Sequence, residues 1–361
     1  MKRAILAWTC GMAVSGFAQA QGVSVYGTPL AGFADVGYQH STNQSLAGNN
    51  GFVVGNLDFY LTPSFGDRVK TLAELVFEVA EDGSLATDLE RLQLGYTFSD
   101  ALTLWMGRFH TPYGYWNTAY HHGAQLQTSI SRPTFIDFED KGGILPAHSV
   151  GLWGTGAVRL SGGWVRYDAY LANGNVIEDG VLDFNQFGDD NGNTMVGGRV
   201  GYEFAEGTLR GLLLGVHGYR EDVAVRDTMV VALSDTRVNV LGGYFHYENN
   251  DWEAIGEYYR FRDDDLSGGT GTHTSWATFV QVGRLLAGRW TPYFRWEKDA
   301  LDQTDPYFAS MDSGRPYSSY VVGLRFDLDY KAALKAEAYQ KHETESDVSY
   351  TGFRAQFAIR F

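Results

Sequence analysis

From Ser349 to Phe361 the chain alternates without a slip. Thr351, Phe353, Ala355, Phe357, Ile359 and Phe361 fall on one face, and Tyr350, Gly352, Arg354, Gln356 and Arg360 on the other. A strand has a side-chain period of two, so this is a strand with one apolar face and one polar, basic face. Shorter stretches repeat the pattern. Val165, Tyr167, Ala169 and Leu171 oppose Arg166 and Asp168; Trp290, Phe294 and Trp296 oppose Tyr293, Arg295 and Glu297; Leu334, Ala336 and Ala338 oppose Lys335, Glu337 and Lys341. Segments of about ten residues with an apolar and a polar face are the signature of a strand between lipid and water.

Sixteen such segments are predicted, starting near residues 24, 52, 69, 88, 102, 149, 159, 194, 209, 236, 252, 273, 289, 318, 332 and 349. Seven connections are tight, at 64–68, 99–101, 156–158, 205–208, 249–251, 287–288 and 330–331, and they alternate strictly with longer ones. The fold class this predicts is all-β: a transmembrane antiparallel β-barrel of about sixteen strands, with tight turns at one rim and long loops at the other.

A charge on the lipid face costs about 2–4 kcal/mol at the bilayer midplane. Parity therefore places Glu74, Glu78, Arg91, Arg108, Arg166, Asp168, Arg199, Arg295, Arg325 and Arg354 on the inner, pore-wall face. Three segments, 102–109, 209–219 and 237–248, mix the two faces, and Pro29 and Pro292 predict bulges or bends. Tyr96, Trp105, Trp164, Trp252, Tyr258, Trp276, Trp290 and Trp296 are the expected interface girdles. A barrel this wide is expected to hold water and opposed charges rather than a packed interior.

The start of the chain reads as an export signal: Lys2 and Arg3, an apolar run from Ala4 to Val14, and a small-residue cleavage site at Ala18-Gln19-Ala20. Residues 1–20 are thus expected to be removed, with the only cysteine, Cys10, leaving 21–361 as a single barrel domain without thiol chemistry. No apolar run approaches the roughly 18 residues of a membrane helix. Forty-four glycines, 22 Tyr, 22 Phe and nine Trp, with no sustained helical period, agree with a barrel.

The longest connection runs from Thr111 to His148. It opens on Gly107-Arg108-Phe109-His110-Thr111-Pro112-Tyr113-Gly114, which resembles the Gly-x-Phe-x-Thr-Pro-aromatic-Gly turn of the sixteen-stranded Gram-negative outer-membrane porins, the phosphate-selective branch included. The terminal Phe361, with apolar residues every second position before it, is similar to the closing strand of such proteins. The resemblance implies that the loop at about 110–148 folds into the barrel and narrows it. It also implies residence in the outer membrane against lipid and lipopolysaccharide, insertion by the barrel-assembly machinery through the last strand, a homotrimer, and passive diffusion of small polar solutes and ions. The chain departs from the phosphate-selective pattern in lacking a one-sign ladder of Arg and Lys.

Near its tip the loop carries Arg132, Asp137, Glu139, Asp140 and Lys141, the expected pore constriction. Acids on the loop facing bases on the wall would set a transverse field across the pore; alternatively the charges pair with the wall and pin the loop. His110, His121 and His122 raise a metal reading, but no carboxylate stands at ligand spacing, so neither a metal site nor a cofactor is expected. The acidic stretches Asp189-Asp190-Asn191-Gly192-Asn193 and Asp263-Asp264-Asp265 are expected in external loops, where divalent cations could bridge them to lipopolysaccharide phosphates.

Losing Lys2 and Arg3 with the signal takes the formal charge from −15 to −17, which disfavours nucleic acid and predicts a weak cation preference. No nucleophile elbow, zinc-protease helix or phosphate loop is present, so no enzyme is expected. The alternatives are a substrate-selective channel, for an oxyanion or organic acid, and a barrel sleeve or scaffold around a periplasmic partner.

Overall fold

The computed structural model describes residues 24–25, 28–43, 50–79, 83–121, 123–183, 192–226 and 232–361. The export signal with Cys10, His122, and Asp189, Asp190 and Asn191 lie outside the described residues.

Sixteen long strands dominate. They are β1 (Thr28–Ser41), β2 (Gly51–Leu61), β3 (Val69–Val79), β4 (Leu85–Ser99), β5 (Leu102–His110), β6 (His148–Leu160), β7 (Gly163–Ala172) and β8 (Met195–Phe204) in the first half. The second half holds β9 (Leu212–Arg226), β10 (Ala232–Glu248), β11 (Trp252–Asp265), β12 (Thr272–Arg284), β13 (Trp290–Ala300), β14 (Tyr317–Asp327), β15 (Ala332–Glu343) and β16 (Val348–Arg360). Each pairs antiparallel with the next, and β16 returns to β1, with Phe33 opposite Arg360 and Ser41 opposite Gly352. Closure satisfies the backbone groups that an open edge would leave bare in lipid.

The outer face is apolar. Phe52, Leu94, Met106, Val216, Leu241 and Val322 are all more than half exposed, in alternation with buried neighbours. Phe353, Phe357 and Phe361 of the last strand join this belt, and Tyr96, Trp252, Tyr258 and Trp290 are exposed where girdles are expected. Trp105 is a correction: it is buried inside and stacks on Trp153 with ring centroids 6.3 Å apart.

Other expectations are also corrected. The hairpin joining β6 to β7 turns at Ser161 and Gly162, not at 156–158. Gly156 lies within β6 because strand packing leaves no space there: a Cβ would come 1.8 Å from the Ala101 carbonyl oxygen. Neither proline makes a bulge. Pro292 sits one residue beyond the β12–β13 ladder, which ends at Gly283 opposite Tyr293, and Pro29 precedes the β1–β2 ladder. Each missing N–H therefore falls where that neighbour asks for no bond. The register shifts instead between Ala34 and Val36 and, on the β3–β4 ladder, between Glu74 and Leu75.

The three segments of mixed character have an inner face that is apolar too. Trp105 and Phe109 on β5, Leu213 and Tyr219 on β9, and Val238, Val240 and Tyr244 on β10 point inward and are buried, while Leu104, Leu214 and Leu241 face out. They belong to an aromatic cluster with Tyr113, Trp116 and Phe135 of the long loop. The interior is therefore packed in part, against the expectation of water and charge alone. Asp263, Asp264 and Asp265 end strand β11 rather than lying in a loop. Asp265 accepts from the backbone of Ser267, Gly269 and Thr270 to close the following turn, and Asp263 is buried.

Candidate functional site

The segment between β5 and β6 has little regular structure of its own: a helix at Trp116–Tyr120 and single 3-10 turns at Thr134–Ile136 and Glu139–Lys141. Its first bend is held by Thr111 and Ser149, whose hydroxyls are 2.7 Å apart. Gly114 follows at φ +51°, and a Cβ there would lie 2.0 Å from a Glu257 oxygen.

A buried irregular backbone must find partners outside itself. Here the partners are charged side chains on the polar face of the barrel. Glu257 on β11 accepts from the N–H groups of Tyr115 and Trp116 at 2.7 and 2.6 Å. Arg199 on β8 donates to the Gly114 carbonyl at 2.6 Å, and Arg325 on β14 to those of Gln125 and Gln127 at 2.7 and 2.8 Å. Arg295 on β13 holds Ser131 by its carbonyl and hydroxyl. On β15, Lys335 donates to the carbonyls of Ala124, Gln127 and Ser129, and Glu337 accepts from the N–H groups of Ile130 and Ser131.

The wall bases also have wall acids. Glu74 pairs with Arg91, Asp168 with Arg199 at 2.6 Å, Arg166 with Glu203 at 2.6 Å, and Arg295 with Glu297 at 2.7 Å. Arg325 meets Asp327 at 2.8 Å and Arg354 meets Glu337 at 3.0 Å. Arg108 has two buried guanidinium nitrogens, Nε and Nη2. It stands in register with outward-facing Leu92 and with Val150, because Trp105 and Phe109 occupy the inner positions of β5.

The loop charges are used differently from the transverse-field expectation. Arg132 is buried, donates to Asn117 Oδ1 and the Ile136 carbonyl, lies over the Phe138 ring, and stands 3.7 Å from Asp137. Glu139 accepts from the Ala147 N–H at 2.5 Å, and Lys141 pairs with Glu78 at 3.2 Å. Burial pushes the Asp137 carboxyl above its usual range and that of Glu139 up to about 8. Asp140 lies in the turn at Glu139–Lys141. Of the wall arginines, Arg199, Arg295 and Arg325 bond to loop carbonyls.

One inward residue escaped parity. Leu89 faces out opposite Leu75, and Arg91 faces in opposite Glu74, so Glu90 is the extra residue of a bulge and turns inward, buried. Two outward leucines three apart, Leu89 and Leu92, were the legible sign. The bulge brings Glu90 to His121 and His148: its Oε2 lies 3.6 and 2.5 Å from their Nε2 atoms. His110 stacks on His121 with ring centroids 3.4 Å apart.

A closed barrel of sixteen antiparallel strands, apolar outside and part charged, part aromatic within, defines the class: this is the fold of the sixteen-stranded outer-membrane porins. No family model matches the chain, and no curated protein matches it. Solved structures do. An anion-selective porin from Comamonas acidovorans is 13% identical with a TM-score of 0.63, covering 92% of this chain and 99% of its own. In-vitro folded OmpT, an outer membrane protein of Vibrio cholerae, is 12% identical with a TM-score of 0.60, covering 95% and 100%. The outer membrane channel DcaP of Acinetobacter baumannii is 12% identical with a TM-score of 0.56, covering 94% and 99%. At these identities the likeness is one of fold.

Proposed function

We propose that the protein is a passive diffusion channel for small hydrophilic solutes and ions, and not an enzyme, with the loop at 110–148 folded into the barrel as its constriction. The observation that carries this reading is the fastening of the loop backbone to Glu257, Arg199, Arg295, Arg325, Lys335 and Glu337, all on the polar face of the barrel. In this reading solute passes beside the loop. Paired wall charges are what water solvates well in a narrow passage. Arg132, Asp137, Glu139 and Lys141 stiffen the loop in this reading rather than drawing solute.

Planar-bilayer recording tests the proposal: stepwise, ohmic currents that do not saturate with salt support it, and a protein that inserts without conducting overturns it. A channel selective for an oxyanion or organic acid is the second reading, favoured by the number of inward arginines; it requires current that saturates with, or is blocked by, one solute class. A sleeve around a periplasmic partner would conduct poorly alone. Homotrimer assembly, contact with lipopolysaccharide and recognition of the last strand by the assembly machinery complete the proposal; one Vibrio cholerae OmpT structure is described as a trimer form.

A further inference from the structure

Four side chains from separate places in the chain meet at the root of the long loop. Glu90 comes from the bulge of β4, His110 from the last position of β5, His121 from just past the loop helix, and His148 from the first position of β6. One ligand atom from each lies within 4.8 Å of the others, and every one of these residues is at most 6% exposed.

Hydrogen bonding alone accounts poorly for their contacts. His148 Nε2 lies 2.8 Å from His121 Nε2 and 2.5 Å from Glu90 Oε2. An imidazole nitrogen either carries a hydrogen or offers a lone pair, so this atom cannot accept from His121 while donating to Glu90. A tetrahedral ion with bonds of about 2.05 Å holds its ligand atoms about 3.3 Å apart. The contacts here, from 2.5 Å up to the 4.8 Å limit, bracket that spacing. The far ring nitrogen of His121 has an acceptor of the kind that orients metal-binding imidazoles, since Nδ1 is 3.4 Å from Asn117 Oδ1, and the Glu139 carboxylate stands 3.9 Å from His148 Nδ1.

We propose that Glu90, His110, His121 and His148 bind one divalent transition-metal ion of the zinc class, which staples both ends of the long loop to its helix and to β4. Three imidazoles and one carboxylate suit zinc, copper or nickel and do not suit the oxygen-seeking calcium or magnesium. Four protein ligands in a buried site leave no open coordination position, so the ion is structural. The sequence offered the histidines no carboxylate at ligand spacing because strict alternation through Arg91 turns Glu90 outward, and only the bulge brings it in.

The test uses the full mature chain in detergent, stripped with a chelator and titrated with Zn2+ alone by calorimetry, then with Co2+ read by visible absorption. The expected result is one zinc per chain, intense tetrahedral cobalt bands that zinc abolishes, and a thermal transition that rises when zinc is restored. His121→Gln and Glu90→Gln should weaken zinc at least as much as the roughly 10–100-fold loss that follows removal of an outer partner. His342→Gln, at the far end of β15, should bind as the parent does. Absence of stoichiometric zinc, equal zinc affinity in His121→Gln, or a weak octahedral cobalt spectrum would overturn the proposal. Should the ligand variants not fold, the cobalt spectrum of the parent and its displacement by zinc decide the question. Conduction without zinc binding would refute this site alone; zinc binding without conduction would refute the channel alone.

Discussion

Arg295 on β13 reaches Ser131, 164 positions away in the sequence, through two hydrogen bonds: Nη1 to the carbonyl at 2.8 Å and Nη2 to the hydroxyl at 2.6 Å. The same guanidinium pairs with Glu297, and both residues are 1% exposed. A wall ion pair has thus become the seat of a loop.

Arg295→Met removes this seat and leaves Glu297 buried without its base. Breaking one side of a buried pair costs about 3–5 kcal/mol. Urea unfolding of the refolded barrel should register a loss of that order. Equal stability of the variant and the parent would show that the contact does not hold the loop.

Lys335→Met takes away a single donor to three loop carbonyls. Hydrogen bonds to charged groups contribute about 1.5–3 kcal/mol each. Amide exchange at 124–129 should accelerate while the strands stay protected. Uniform acceleration across the barrel would mean that Lys335 supports the wall and not the loop.

Asp302 supplies a pH dependence at the outer rim. Hydrogen bonds from Thr304 and His273 hold its carboxyl down at about 2, from 3.8. A depressed carboxylate contributes stability that is complete above the unfolded value and is lost as pH falls through the folded one. Protection of the 301–316 segment from protease should therefore fall between about pH 4 and pH 2, and Asp302→Asn should already be loose at pH 5 with no further step. A protease profile for the parent that is flat over that range would contradict the assignment.

Much of this architecture was legible from alternation because lipid outside and water inside penalise opposite mistakes. The last strand, the wall pairs of β7 and β13, and the long loop's place between β5 and β6 all followed. What alternation could not show was an inner face that is itself apolar: Trp105 looked like an interface anchor because nothing local distinguishes lipid from an aromatic loop. Nor could it place Glu90, since a bulge shifts parity by one residue and a single sequence marks it only by the spacing of Leu89 and Leu92. Loop partners were illegible for a further reason. The loop bonds mainly through backbone carbonyls, which carry no side-chain signature.

For the proposed channel, the formal charge of −15 makes a weak cation preference the expected outcome. A tenfold salt gradient should give a reversal potential of the sign for weak cation preference, shrinking at high ionic strength as charges are screened. A clear anion preference would show that the wall arginines, not the acidic rim, govern permeation.

The most direct test of the central claim is the single-channel conductance of the parent chain beside a variant with 118–144 shortened. A larger conductance in the variant is the predicted result, since in the proposed channel the loop occupies cross-section that ions would otherwise use. An unchanged conductance would place the loop outside the conducting path and contradict the account.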